Sequence, residues 1–92
     1  MIYTIGVRND TIYNGPLMIF YENGQINTFD TYFDNKKEGI SLHYNESGIL
    51  TRKSFYRNNV KDGEQYYFDY ETGDTLLVEF YKEGILIKSD SI

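Results

Sequence analysis

Few residues of this 92-residue chain have the types and spacing that catalysis requires. His43 is the only histidine, and the nearby hydroxyls of Ser41 and Ser47 form no recognisable nucleophile motif. Acid–base catalysis needs a geometric partner for the imidazole, and strand alternation turns His43 away from the face of Leu42 and Tyr44. The sequence contains no cysteine, which excludes thiolate ligands, disulfides and a cysteine nucleophile. We therefore predict a protein that is not an enzyme.

Carboxylates in the connecting segments raise a second chemical hypothesis, calcium binding. They are Asp34, Glu38, Asp62 and Glu83. A calcium loop needs closely spaced aspartates followed by a bidentate glutamate, and no Asp-x-Asp-x-Asp-Gly run is present. The glycines are separated by whole strands, so they form no phosphate-cradling loop. The sequence therefore predicts neither a metal site nor a cofactor.

Glycine spacing shows how the chain is organised. Gly15, Gly39 and Gly63 are 24 residues apart, and each is followed nine or ten residues later by a second glycine. A fixed period of roughly 20 to 50 residues is typical of a small supersecondary unit that is copied and stacked. We therefore predict a single repeat domain over residues 1–92. Its units are a partial copy at 1–14 and three copies at 15–38, 39–62 and 63–92.

Each unit carries the pattern of two β-strands joined by a turn. Apolar residues stand three and five positions after the first glycine, at Met18 and Phe20, Leu42 and Tyr44, and Tyr66 and Phe68. This alternation is typical of a strand with one buried face. In the first copy, Asn23-Gly24 predicts a tight hairpin turn in which both residues have positive φ.

A second strand follows each turn. Tyrosine stands eight residues after the second glycine in every full copy, as Tyr32, Tyr56 and Tyr81, and we interpret it as a packing residue. The segments 34–39 and 57–63 are predicted to be polar connecting loops of ordinary length. No segment has a helical period, and the tyrosine and phenylalanine content favours half-buried strands. The predicted fold class is all-β, an antiparallel meander of stacked β-hairpins with about eight short strands.

The residues of the repeat resemble those of a known family. Tyr-Glu-Asn-Gly at 21–24 is followed by an aliphatic residue, by an aromatic residue eight positions after the glycine, and by a polar segment ending on glycine. This pattern covers 20–39, 44–63 and 68–84, and it is similar to the bacterial variant of the MORN repeat, as in YwqK-like proteins of the antitoxin type. The resemblance implies an extended, twisted sheet of stacked hairpins used as a binding surface, and it carries over no catalytic residue.

Charge narrows the class of partner. Fourteen acidic and nine basic residues give a formal net charge of −5, which opposes direct binding to nucleic acid or membrane and favours a protein with a basic surface. The hairpin turns contain no lysine or arginine, so they are predicted to form an acidic margin. The candidate partner-binding residues are the carboxylates of these turns and the tyrosines near them: Glu22, Glu46, Tyr66, Tyr67, Asp69, Tyr70, Glu71 and Asp74.

These observations favour a non-enzymatic protein-binding module that inhibits its target. It would be an antitoxin, an immunity protein or a phage anti-defence protein that blocks a basic site on a toxin or a defence nuclease. The alternative hypothesis is a structural scaffold or a membrane-adjacent adaptor, functions linked with eukaryotic MORN arrays. Residues 2–5 do not resemble a signal peptide, so a cytoplasmic location is predicted. A homodimer through the apolar C-terminal strands around 85–87 is a further hypothesis.

Overall fold

Ten β-strands make up most of the described part of the chain, which comprises residues 2–4, 7–9 and 12–91 of a computed structural model. In chain order they are β1 (Ile2–Thr4), β2 (Val7–Asn9), β3 (Ile12–Phe20), β4 (Ile26–Phe33), β5 (Lys36–Tyr44), β6 (Leu50–Arg57), β7 (Val60–Lys61), β8 (Gly63–Phe68), β9 (Thr75–Lys82) and β10 (Ile85–Ser91). These ranges contain no helix, and hence none long and apolar enough to cross a bilayer. The predicted all-β fold class is confirmed.

The strands follow one another across a single antiparallel sheet as a meander. The sheet order is β1-β3-β4-β5-β6-β8-β9-β10, with β2 also beside β3 and β7 also beside β6. Because β1 and β2 share the length of β3, and β7 and β8 share that of β6, the ten strands occupy eight positions. The predicted meander of about eight strands is thus observed. The Cα atoms extend over 44 × 35 × 10 Å, so the sheet forms one layer.

The connections between successive hairpins are shorter than the sequence predicted. The expectation of polar loops over 34–39 and 57–63 is wrong, because β5 already begins at Lys36 and β7 occupies Val60–Lys61. The chain reverses over two-residue turns in which both residues have positive φ: Asp34-Asn35, Asn58-Asn59 and Glu83-Gly84. Such turns match the right-handed twist of the flanking strands, and aspartate and asparagine tolerate the left-handed region.

The Asn-Gly turn has a geometry different from the predicted one. Gly24 has a φ of +88°, whereas Asn23 does not have positive φ. The turn is wider than two residues, because the N–H of Tyr21 donates to the carbonyl of Gln25 over 2.8 Å. The side-chain oxygen of Asn23 accepts the N–H of Gln25 at 2.9 Å. Asparagine therefore shapes this turn through its side chain rather than through its own φ.

The register gives the sheet one apolar and one polar side. Cross-strand partners share a side, so the pairs Met18–Phe29 and Phe29–Leu42 lie together. We name this side the apolar face, and its members are Met18, Phe20, Ile26, Phe29, Ile40, Leu42, Tyr44, Leu50, Phe55, Tyr66, Phe68, Val78 and Phe80. Val78, at 9% exposure, is the one buried hydrophobic residue in the described chain. The other members are half-buried, because each is shielded mainly by its neighbours in the same layer.

The opposite side, which we name the polar face, holds the most deeply buried side chains. Asp30, Ser54 and Gln65 are 5%, 3% and 0% exposed and lie in one row across β4, β6 and β8. The hydroxyl of Ser41 donates to Oδ1 of Asp30, and Nζ of Lys37 lies 4.0 Å from its Oδ2. The buried carboxylate is therefore paired, as buried charges usually are. A polar row occupies the centre of this sheet.

Tyrosines border the polar row. Each stands directly across from the glycine that opens a repeat, in the pairs Gly15–Tyr32, Gly39–Tyr56 and Gly63–Tyr81. Nζ of Lys37 lies 5.0 Å from the ring centroid of Tyr56, and Nζ of Lys61 lies 5.0 Å from that of Tyr81. These contacts are within cation–π range. The repeated pairing agrees with the interpretation of the tyrosines as packing residues.

Candidate functional site

Three hairpin turns lie side by side along one edge of the sheet, which we name the turn edge and define as residues 21–25, 45–49 and 69–74. β3, β5 and β8 run in the same direction and end there. Asparagine side chains join the turns: Nδ2 of Asn23 donates to the carbonyl of Glu46 at 3.0 Å, and Nδ2 of Asn45 donates to the carbonyl of Tyr70 at 2.6 Å. The spacing between the turns is thus fixed by side chain as well as by strand pairing.

Each turn is also held internally by a side-chain oxygen. Oδ1 of Asn45 accepts the N–H groups of Ser47 and Ile49, each at 3.0 Å. In the third turn, Oδ1 of Asp69 accepts the N–H groups of Glu71 at 2.8 Å and Thr72 at 3.0 Å. The hydrogen bonds from Thr72 and Glu71 lower the pKa of Asp69 below its usual value. Asp69, a predicted partner-binding residue, therefore uses its carboxylate to shape the backbone.

Carboxylates concentrate at the turn edge. It carries Glu22, Glu46, Asp69, Glu71 and Asp74 and no lysine or arginine. The chain has fourteen acidic residues, so nine lie outside the turn edge, and the nine basic residues balance them. The turn edge therefore accounts for the whole formal charge of −5. Charges in neighbouring turns, about 10 Å apart, repel in water by only ~0.4 kcal/mol. The three turns can therefore lie side by side at little electrostatic cost.

The predicted tyrosines lie on three different surfaces. Tyr70 is on the turn edge and is 67% exposed. Tyr67 is on the polar face, where it pairs with Leu77, and burial, followed by its hydrogen bond to Glu79, raises its pKa. Tyr66 is on the apolar face and donates its hydroxyl hydrogen to Oε2 of Glu64. The structure thus brings together Tyr70 and the turn carboxylates, and it separates Tyr66 and Tyr67 from each other.

The environment of His43 offers no catalytic arrangement within the described chain. The ring lies on the polar face, away from Leu42, and its Nδ1 is 3.2 Å from the hydroxyl of Thr28. Burial and the neighbouring Arg52 lower the pKa of His43, against an opposing effect of Asp30. The carboxylate of Asp30 accepts the Ser41 hydroxyl rather than bonding the imidazole, so no serine–histidine–aspartate relay forms.

Two of the four carboxylates considered for calcium have separate partners. Oε2 of Glu38 accepts the N–H of Asn58 at 2.8 Å, and Oδ2 of Asp62 lies 3.9 Å from Nη1 of Arg57. Across residues 2–4, 7–9 and 12–91, no group of three or more histidine, aspartate or glutamate side chains is placed to hold a metal ion. The described residues therefore show no arrangement that would bind calcium as a dense oxygen cage.

The buried polar row is the feature that sequence reasoning missed. Its members repeat with the period of the glycines, since Asp30 and Ser54 are 24 residues apart, as are Ser41 and Gln65. That recurrence was a usable signal, because a polar residue at the same place in successive copies occupies the same row of the sheet. Its burial could not be read from the sequence, since it depends on which side chains the neighbouring strands place beside the row.

Comparisons with known proteins found no relative: no protein-family model, no curated protein and no solved structure matches the chain. The resemblance to the bacterial MORN repeat therefore stays a prediction made from residues.

Proposed function

We propose that this chain is a non-enzymatic protein-binding module, an inhibitor whose turn edge occupies a basic site on another protein. The observation that supports the proposal best is the distribution of charge. All of the net charge of −5 can be assigned to one edge, and asparagine side chains tie the three turns of that edge together. A charged surface that is already ordered loses little conformational entropy when it binds.

The shape of the edge suits a cleft. The sheet is one layer thick, with a Cα extent of 10 Å in its thinnest direction, so its edge can enter a groove that a rounded domain could not. Tyr70 extends from this edge at 67% exposure, beside the carboxylate of Glu71. Tyrosine is enriched among the residues that dominate interface energies, and complementary charge raises association rates. Tyr70 is therefore the proposed anchor, and the carboxylates are the proposed guides.

The basic sites of toxins and nucleases that act on nucleic acid have the charge that this edge requires. An antitoxin, an immunity protein or a phage anti-defence protein acting in the cytoplasm is the form of inhibitor that we propose, in line with the resemblance to antitoxin-type MORN repeats. The scaffold or adaptor alternative rests on that resemblance alone. It predicts sedimentation of the chain with vesicles of anionic phospholipid, which a net charge of −5 opposes.

Charge reversal tests the proposal. A triple variant with Glu46, Glu71 and Asp74 changed to lysine should fold normally and lose the partner that the tagged wild-type chain captures from a bacterial lysate near physiological salt. The matched control changes Asp34, Glu83 and Asp90 to lysine, which alters the net charge equally but away from the turn edge. The control should keep the partner, and the purified partner should lose its own activity when the wild-type chain is added.

Two results would reject the proposal. One is a partner that the turn-edge variant and the control bind equally well, because the interface would then lie elsewhere. The other is turnover of a substrate by the purified chain that is abolished by His43→Ala, because the chain would then be an enzyme. Co-sedimentation with anionic vesicles would instead favour the adaptor.

A further inference from the structure

The apolar face has no covering layer within the described chain. Its phenylalanines, tyrosines and aliphatic residues lie on one side of a single sheet, and each except Val78 keeps part of its surface accessible. Monomeric soluble proteins rarely expose contiguous apolar patches larger than a few hundred Å². A sheet with one apolar side normally buries it against another layer. The polar face does not need such a layer, because its central row is already buried.

The size of the face is that of a stable interface. A rectangle of 44 × 35 Å encloses about 1,500 Å². If half of it were covered on each of two copies, the total buried surface would be on the order of 1,500 Å², close to the ~1,600 Å² of a standard protein–protein interface. A second copy of the same sheet is therefore large enough to cover this face, and two sheets at about 10 Å separation make an ordinary β-sandwich.

Two opposite charges, on β6 and β8, lie on this face. Nζ of Lys53 lies 5.6 Å from the ring centroid of Tyr66 and 5.7 Å from that of Phe55. Glu64, whose Oε2 accepts the Tyr66 hydroxyl, pairs with Phe80 and therefore lies on the same side. Tyr66 thus contacts both side chains. In a face-to-face dimer, a twofold axis near Tyr66 and parallel to the sheets would bring Lys53 of one copy towards Glu64 of the other, twice in each dimer.

We propose that two copies of this chain pack through their apolar faces into a two-layered β-sandwich, with Lys53 of each copy paired to Glu64 of the other. This interface is isologous: each copy contributes the same face, so the dimer leaves no apolar face unpaired. It leaves the turn edge uncovered and does not depend on the inhibitor function. The sandwich gives the chain the apolar core that one layer lacks.

The open edge at β10 offers less to a second copy. Ile85, Leu86 and Ile87 are 69%, 48% and 63% exposed there. However, the register with β9 shifts between Leu86 and Lys88, so the strand is regular only over its last few residues. Bulges and charged residues are features by which edge strands avoid pairing. The homodimer through the C-terminal strands is therefore an alternative outcome of the same experiment.

Sedimentation velocity and light scattering on the full chain test the sandwich. The wild-type chain should show twice the 10.9 kDa of one copy at about 0.1 mM, a concentration at which even a micromolar dimer is populated. Lys53→Glu or Glu64→Lys alone puts like charges in both contacts and should weaken dimerisation at least tenfold, with an unchanged circular dichroism spectrum. An equimolar mixture of the two variants should form a heterodimer, because each then supplies the charge that the other needs.

The mixture separates the proposal from its alternatives. A wild-type chain that remains a monomer at about 0.1 mM would overturn the proposal. A dimer that both single variants retain would also overturn it, and its loss in Ile87→Pro would place the contact at β10. If both variants are folded monomers and their mixture is monomeric too, the Lys53–Glu64 pairing is refuted. The charge-reversal test of the turn edge stays readable in each case because it uses other residues, although a dimer would present that edge as one of two layers rather than as a single thin sheet.

Discussion

Replacing Gln65 with leucine should stabilise the sheet, although it removes a hydrogen bond. The Gln65 side chain is 0% exposed, and its Oε1 accepts no hydrogen bond from the described residues. Its Nε2 donates to the carbonyl of Phe55 at 3.2 Å. That carbonyl also accepts the N–H of Asp62 at 2.9 Å. It therefore keeps a partner after the substitution, and the change leaves no newly unsatisfied acceptor at this position.

The magnitude follows from two opposing contributions. An unpaired buried acceptor costs about 1–3 kcal/mol, while a neutral hydrogen bond contributes about 1 kcal/mol to stability. Leucine has a volume similar to that of glutamine and adds apolar contact in a site closed to water. We expect the free energy of unfolding to rise by about 1 kcal/mol, which corresponds to an increase in Tm of roughly 4–8 °C for a domain of this size.

Gln65→Glu is the matched opposite change. It keeps the shape of the side chain but introduces a carboxyl group across from Glu79 in a buried row. An unpaired buried charge costs roughly 3–5 kcal/mol. Burial and the neighbouring carboxylate raise the pKa of the introduced group in the folded state above its unfolded value of about 4.3. The variant should therefore be near wild-type stability below about pH 4 and lose stability as the pH rises through the folded pKa.

Urea unfolding, followed by circular dichroism at pH 4 and pH 7, compares the free energy of unfolding of the wild type, Gln65→Leu and Gln65→Glu at equal protein concentration. The concentration must be held constant because dimerisation would add to the apparent stability. If leucine lowers the free energy of unfolding by 1 kcal/mol or more, and glutamate is tolerated at pH 7, then water reaches this row. That result would refute the argument that Oε1 of Gln65 is buried without a partner.

Three further tests probe packing, backbone and charge. Tyr56→Ala should lower the free energy of unfolding by ~3 kcal/mol in urea, because the ring packs across from Gly39; a loss below ~1 kcal/mol would contradict its packing role. Gly39→Ala should lower the free energy of unfolding by at least ~1 kcal/mol more than Gly24→Ala does. Both glycines have positive φ (+97° and +88°), but of the two only Gly39 has an atom close to the added Cβ, Oγ1 of Thr31 at 3.0 Å. Equal losses would show that Thr31 can move away. Hydrogen bonds lower the pKa of Asp69 in the folded chain, so its carboxylate stabilises the fold above the unfolded-state pKa, and this stabilisation is lost as the pH falls through the folded-state pKa. An NMR titration of Asp69 should therefore show a midpoint below the usual value for aspartate. An ordinary midpoint would mean that the turn opens in solution.

The candidate site was predicted in part, and the residues show why. The turn carboxylates Glu22, Glu46 and Glu71 were expected to share an edge, and they do, because every second strand of a meander ends on the same side. Tyr66 and Tyr67 were grouped with them from nearness in sequence. Consecutive residues of a strand point to opposite faces, so these two tyrosines could not share one surface.

The backbone of the turns was less predictable than their position. Asn23-Gly24 and Asp34-Asn35 are both sequences that favour a reversal, and only the second has positive φ at both residues. The choice depends on which atoms the side chain can reach. Oδ1 of Asn23 accepts the N–H of Gln25 within its own turn, whereas Oδ1 of Asn35 accepts the N–H of Tyr13 on β3, at 2.7 Å.

The sequence by itself determined the repeat, the number of strand positions and the acidic edge, since these depend on spacing along the chain and on the alternation of a strand. Only the tertiary structure decided which side chains are buried. Asp30, Ser54 and Gln65 are the most enclosed residues, while the apolar side chains across the sheet remain half open. Burial depends on which side chains the neighbouring strands place around a residue, and strand register decides that placement rather than residue type.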